Sequence, residues 1–209
     1  MRRNALRHAP LIVLACLALV ACQKRRPKMP VPDPAEQVVE DPKPKPKPKC
    51  ESLDEKCVGE ANNRVQIGEA GSFQPPADWV YAKLAEGSVA IAADGKAGIA
   101  FAKAEGTEAE KVFAALQGLL TAMEVADVTE ASVKKMLKKK PVVEDAEGLK
   151  LNTWDTACKV KGAAGMMLLA VAPLDGGGAV VGVVALQKDA AGELGKPARD
   201  ALLSLRSRK

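Results

Sequence analysis

The chain has 209 residues, of which 47% are hydrophobic and 27% charged, with a formal net charge of +5. Three of the 31 basic residues, Arg2, Arg3 and Arg7, and the one histidine, His8, crowd into the first eight positions, and the remainder is close to neutral at 28 basic against 26 acidic groups. That balance argues against nucleic-acid binding, which needs a concentrated basic face, and an aromatic content of 3% weakens a sugar-stacking surface.

The first three arginines precede a twelve-residue apolar run, Ala9 to Val20, in the charged-then-apolar layout of a secretory signal. As a helix that run spans roughly 18 Å against roughly 30 Å of hydrocarbon, too short for a permanent membrane span. Leu19-Val20-Ala21-Cys22 resembles the lipobox of bacterial lipoproteins. The resemblance implies cleavage after Ala21, acylation of Cys22 (palmitate among the chains), and a membrane anchor. Val13-Leu14-Ala15-Cys16 is a poorer match, because it leaves only about six apolar residues before it. Gln23, where inner-membrane lipoproteins carry Asp, implies the outer membrane, with the domain facing the periplasm. The alternative is simple secretion after Ala21 with a free thiol at Cys22.

Residues 22–49 hold eight of the fourteen prolines and end in Asp41-Pro42-Lys43-Pro44-Lys45-Pro46-Lys47-Pro48-Lys49. Alternating Lys-Pro removes every second amide donor and fixes φ, which forbids helix and sheet and favours polyproline II. The segment reads as a disordered, semi-rigid tether reaching up to about 85 Å. Lys24, Arg25, Arg26 and Lys28 keep it solvated, or meet anionic headgroups beside the anchor.

Residues 50–209 are expected to form a single globular domain. Strands are predicted at Arg64–Ile67, Trp79–Leu84, Val89–Ala93 and Gly98–Ala102, the last two a hairpin across Asp94-Gly95-Lys96. A helix follows, with Thr107 and Glu110 as a capping box and Val112, Phe113, Leu116, Leu119, Leu120 and Met123 as its buried stripe. A second helix is predicted at Glu130–Lys138, with Val133, Met136 and Leu137 inward and Pro141 as its stop. Strands return at Leu149–Val160, Gly165–Ala172 and Ala179–Gln187. The last two are near-continuous apolar runs that call for cover on both faces. A final helix, near Glu193–Arg206, turns Ala198, Ala201, Leu202 and Leu205 inward and tolerates Pro197 if it falls in the first turn. The order indicates an α+β fold, an antiparallel sheet covered by helices. Phe73, Pro75, Pro76 and Trp79, with the ending Ala201-Leu202-Leu203-Ser204-Leu205-Arg206, resemble the PsbP-like αβα sandwiches. That family includes exported lipoproteins and consists mostly of binding or assembly proteins rather than enzymes.

With His8 inside the signal, the mature chain has no histidine, which removes Ser-His and Cys-His nucleophiles and imidazole metal sites. Ser132-Val133-Lys134-Lys135 fits the Ser-x-x-Lys pattern of penicillin-binding enzymes without its partner motifs, so a solvated face is expected there and at Lys138, Lys139 and Lys140. Those five lysines are otherwise suited to anionic lipid or a partner. Gly176, Gly178 and Gly182 have the wrong spacing for a dinucleotide loop and are read as a turn. Glu144, Asp145 and Glu147 are read as a solvated acidic loop without calcium spacing. Trp79 and Trp154 are expected in the core or at its rim.

Of the three cysteines after the tether, Cys50 and Cys57 make a possible local disulfide, with Cys158 as the alternative partner of either. A helix between Cys50 and Cys57 would hold them about 10 Å apart and forbid the local bridge. No catalytic residue, metal site or cofactor is assigned. The expected role is a non-catalytic binding or scaffolding domain with a protein partner in the envelope. The alternatives are a carrier of a small apolar ligand between sheet and helices, and an enzyme confined to carboxylate or lysine chemistry.

Overall fold

The computed structural model describes residues 48–208. The expected signal, Cys22 and the spacer through Lys47 lie outside the described residues, as does Lys209. A 3-10 turn at Leu53–Glu55 leads into β1 (Cys57–Val58), β2 (Val65–Ile67), β3 (Gly71–Phe73), β4 (Val80–Lys83), β5 (Gly87–Ile91) and β6 (Ala97–Ala104). Then come α1 (Ala109–Ala122), β7 (Val125–Ala126) and α2 (Glu130–Leu137). The C-terminal part holds β8 (Val142–Ala146), β9 (Leu149–Val160), β10 (Ala163–Pro173), β11 (Ala179–Gln187), α3 (Ala191–Leu203) and β12 (Arg206–Ser207).

The larger sheet runs β1-β4-β5-β6-β11-β10-β9, with β7 and β8 pairing different stretches of the outer edge of β9. A smaller sheet runs β12-β3-β2, and the pairings in both are antiparallel. The fold is therefore α+β, with antiparallel sheets and three helices.

Strand parity decides the layers. In β11, Val180 and Val184 face one side while Ala179, Val181, Val183 and Ala185 face the other, and all six are buried. α1 and α2 close the second side with Val112, Leu116, Leu119, Leu120, Val133 and Met136. α3 and the small sheet close the first through Ala198, Leu202, Leu205, Ile67 and Phe73. Each fully buried Leu, Val or Phe contributes about 1.5–3 kcal/mol relative to exposure, which explains why both faces need a cover.

Several elements depart from expectation. α1 has no capping box at Thr107 and Glu110: its N-cap is Glu108, without a side-chain cap, and Glu108 pairs with Lys111 at 3.4 Å. The reciprocal box sits on α2, where Thr129 Oγ1 accepts from Ser132 N (3.2 Å) and Ser132 Oγ accepts from Thr129 N (2.9 Å). Phe113 and Leu137 are only partly buried, at the borders of their stripes. Glu144 and Asp145 are not in a loop but on β8, paired with Leu151 and Lys150. Gly182 is not in a turn but within β11, opposite Phe101. The last helix starts early, at Ala191, so Pro197 falls in its interior and has no N–H to give the Glu193 carbonyl. It also ends early, at Leu203, because Ser204 Oγ accepts from Gln74 N (2.8 Å), donates to Ala201 O (2.7 Å), and hands Arg206 to β12.

Candidate functional site

An open cavity of about 790 Å³ lies where the segment after β3, the end of the β5-β6 hairpin and α3 meet. Its floor is apolar, supplied by Pro75, Trp79, Ala92, Leu194, Pro197 and Ala201. Trp79 itself is 5% exposed and serves as the base of the groove rather than as a projecting ring. The wall at residues 74–79 is held by the domain entry: Gly59 N donates to Trp79 O (2.8 Å) and Asp78 N to Gly59 O (3.1 Å). Position 59 must be glycine for this approach, since a Cβ there would sit 2.3 Å from the Pro76 carbonyl oxygen. Gln74 Nε2 donates to the Ala61 carbonyl, tying the same wall to the loop before β2.

The rim is acidic. Asp78, Asp94, Glu193 and Asp200 line the groove and are exposed. Asp200 pairs with Lys196 one helical turn away. Lys96, near Asp94 and Glu193, is taken up by Asp189 at 2.8 Å. That contact raises the lysine above its ordinary range and lowers the Asp189 carboxyl, in each case chiefly through the shared hydrogen bond. Asp78 adopts a left-handed backbone, φ 65°, a conformation Asp tolerates better than most residues. A surface with an apolar floor and a carboxylate rim can seat an extended segment carrying aliphatic and cationic side chains.

The structure disperses the other residues singled out from sequence. Cys50 and Cys57 form a disulfide, with their Cα atoms 5.7 Å apart. The intervening segment is a single 3-10 turn ending in left-handed Lys56, which reverses the chain and removes the helical objection to a local bridge. The Glu55 carboxylate accepts from Cys50 N (2.9 Å) and Glu51 N (3.1 Å), and the Cys50 contact lowers its pKa most. Cys158 is a buried free thiol on β9, pushed up to about 11 first by burial and then by the Asp127 charge. Ser132 spends its hydroxyl on the α2 cap, donating to Thr129 O (2.7 Å), so it is not aimed at Lys135. Glu144 binds Arg199 of α3 at 3.1 Å, and Glu147 bridges Arg64 and Arg206. Glu144 and Glu147 thus pin the β8-β9 hairpin to α3 and the small sheet, while Asp145 stays exposed. Trp154 is half-buried, and its Nε1 donates to Lys139 O (2.9 Å).

The groove itself has no contiguous signature in the sequence. Its traces are Pro75-Pro76, Trp79 and Pro197, residues that disfavour regular structure or need apolar cover. Their convergence depends on the small sheet carrying the chain back across α3.

No family model matches the chain, and no curated protein matches it. Among solved structures, a protein from Bacteroides thetaiotaomicron VPI-5482 is similar over 66% of this chain and 45% of that one, with a TM-score of 0.41 and 14% identity. This chain therefore spans less than half of that protein. The solution structure of cyanobacterial PsbP (CyanoP) from Synechocystis sp. PCC 6803 is similar over 69% of this chain and 91% of that one, with a TM-score of 0.43 and 11% identity. Neither likeness carries an argument about role; the fold stands on this chain's own pairing and packing.

Proposed function

We propose that the chain is an envelope lipoprotein, anchored by Cys22 to the outer membrane and facing the periplasm, whose PsbP-like sandwich domain binds a protein partner without catalysis. The supporting observation is the groove: an apolar floor rimmed by Asp78, Asp94, Glu193 and Asp200 suits an extended partner segment bearing lysine or arginine. The Lys-Pro spacer supports the anchoring part, since a stalk is useful to a domain that must meet a partner away from its own membrane.

Two measurements test this. Acyl labelling of the wild-type chain in a bacterial host should be lost in Cys22→Ser, with release from the membrane fraction. A photo-crosslinking residue at Leu194 should capture one basic envelope protein, and Asp94→Lys with Glu193→Lys should lower the yield of that adduct. An unchanged adduct in the charge-reversed chain removes the groove from the reading. Native mass spectrometry of protein from its host adds a third outcome: a retained small apolar molecule would favour a ligand carrier instead.

A further inference from the structure

The corner formed by the end of α2 and the start of β8 carries a combination the groove does not explain. Val142 and Val143 are 65% and 58% exposed, on a strand whose outer edge has no partner among the described residues. Lys138, Lys139 and Lys140 precede them across Pro141, and Lys134 and Lys135 lie one helical turn back. All five are exposed, and among the described residues none has an ion-pair partner. Trp154 holds the Lys139 carbonyl and so fixes the lysine-bearing segment against β9. On β8, Glu144 is occupied by Arg199 and exposed Asp145 is an opposing charge, and on α2 exposed Glu130 stands one turn before Lys134.

We propose that this corner is a peripheral docking surface for an anionic phospholipid bilayer that meets β8 edge-on, with the lysines over the headgroups and Val142 and Val143, on the two faces of that edge, in the interface. Lysine suits this geometry because its stem lies along apolar surface while its ammonium stays wet. A cluster of this size beside exposed aliphatic side chains is the pattern of an interfacial contact. A protein hot spot fits less well, since such spots centre on buried aromatic or arginine anchors, and here the one aromatic ring is already committed to the fold.

The corner lies at the far edge of the sheet from Cys50, whose carbonyl accepts from Lys83 N of β4. Seven strand spacings separate the two edges, about 34 Å. The 28 residues from Cys22 to Lys49 reach up to about 85 Å, enough for the corner to touch the bilayer that holds the anchor. That last step rests on the proposed lipid anchor; the corner's affinity for anionic lipid does not.

The test uses the full chain, purified from membranes and mixed with vesicles of phosphatidylcholine alone or with about 40% phosphatidylglycerol, both with brominated acyl chains. Trp154 reports contact, while Trp79 beneath the groove supplies an unquenched background. Quenching at least about twofold greater with phosphatidylglycerol is expected, reversed by high salt. It should be lost in Lys138→Glu/Lys139→Glu/Lys140→Glu and, with the charge intact, in Val142→Ser/Val143→Ser. All five positions are exposed, so folding is not at stake, and unchanged melting checks this. Flotation of the same samples reads the anchor separately. Equal quenching in the two vesicle types, or quenching indifferent to charge reversal, overturns the proposal whatever flotation shows.

Discussion

Gly182→Ala probes the tightest joint in the sandwich. Gly182 faces Phe101 across the β6-β11 pair, and a Cβ there would lie 2.7 Å from Phe101 Cε1, 2.9 Å from Cδ1 and 3.2 Å from Leu202 Cδ1. Neither neighbour has room to yield. Phe101 and Leu202 are fully buried, and the Phe101 ring packs on Phe73 with centroids 4.6 Å apart. Overpacking of this kind costs about 1–3 kcal/mol. The loss of glycine's freedom in the unfolded chain returns about 0.4–1 kcal/mol. The net expectation is about 1–2 kcal/mol of destabilisation, or about 2–8 °C in melting temperature for a domain of this size. Gly176→Ala is the matched control: nothing lies within 4 Å of its Cβ position and its φ is not in the left-handed region, so it should be neutral or stabilise by up to about 1 kcal/mol. Urea denaturation followed by tryptophan fluorescence measures both. A Gly182→Ala protein at least as stable as wild type would refute the claim that this glycine exists to admit the Phe101 ring.

Removing the disulfide by Cys50→Ser/Cys57→Ser should cost about 2.5 kcal/mol, the loop-entropy value for so short a loop, and reducing agent should lower the wild-type melting temperature while leaving the variant unchanged. Cys158 should resist thiol reagents at pH 8 in the folded state. Its thiol titrates near 11 when folded against 9.0 when free, so above pH 9 the unfolded chain loses a proton the folded chain keeps. Stability should therefore fall between pH 9 and 11 by a contribution absent from Cys158→Ala, which pH-dependent denaturation of the two proteins compares. Thr129→Ala breaks the cap of α2 and should cost about 1 kcal/mol, read in the same denaturation assay.

What the sequence made legible follows local chemistry. The apolar runs of β10 and β11 announce a sheet covered on both faces, and Asp94-Gly95 announces the β5-β6 hairpin, where Gly95 takes φ 71°. The β8-β9 hairpin has no such local signal, because its turn is Glu147-Gly148, φ 45° and 94°, where Asn or Asp is the usual first residue. Lys161-Gly162 makes the same two-residue turn between β9 and β10. In both, the glycine supplies one left-handed position and the neighbouring strands impose the other. The two-residue strands β1, β7 and β12 are too short for any period and exist only through their partners. The α2 cap was hidden because Ser132 stands where Glu or Gln is usual. The groove was hidden more deeply, since its walls come from three separated segments that nothing local brings together.

The construction of the groove bears on what it can bind. One wall, Pro75-Pro76, is fixed in φ and seated against Gly59, whose own segment is held to β4 by the Cys50–Cys57 loop and the pairing of β1. The opposite wall is α3 around Pro197, and the C-terminal end of that helix is tied down by Ser204, which accepts from Gln74 N, and by Arg64, which donates to the Ser204 carbonyl. A partner thus meets surfaces whose backbone is already ordered, so little of the binding free energy is spent on the groove itself. The carboxylates, in contrast, are exposed and largely wet. They contribute more to the rate of encounter and to the choice of a cationic partner than to the lifetime of the complex, which falls to the apolar floor. Charge reversal at Asp94 and Glu193 should therefore slow association and weaken its salt dependence, whereas truncating Leu194 should speed dissociation.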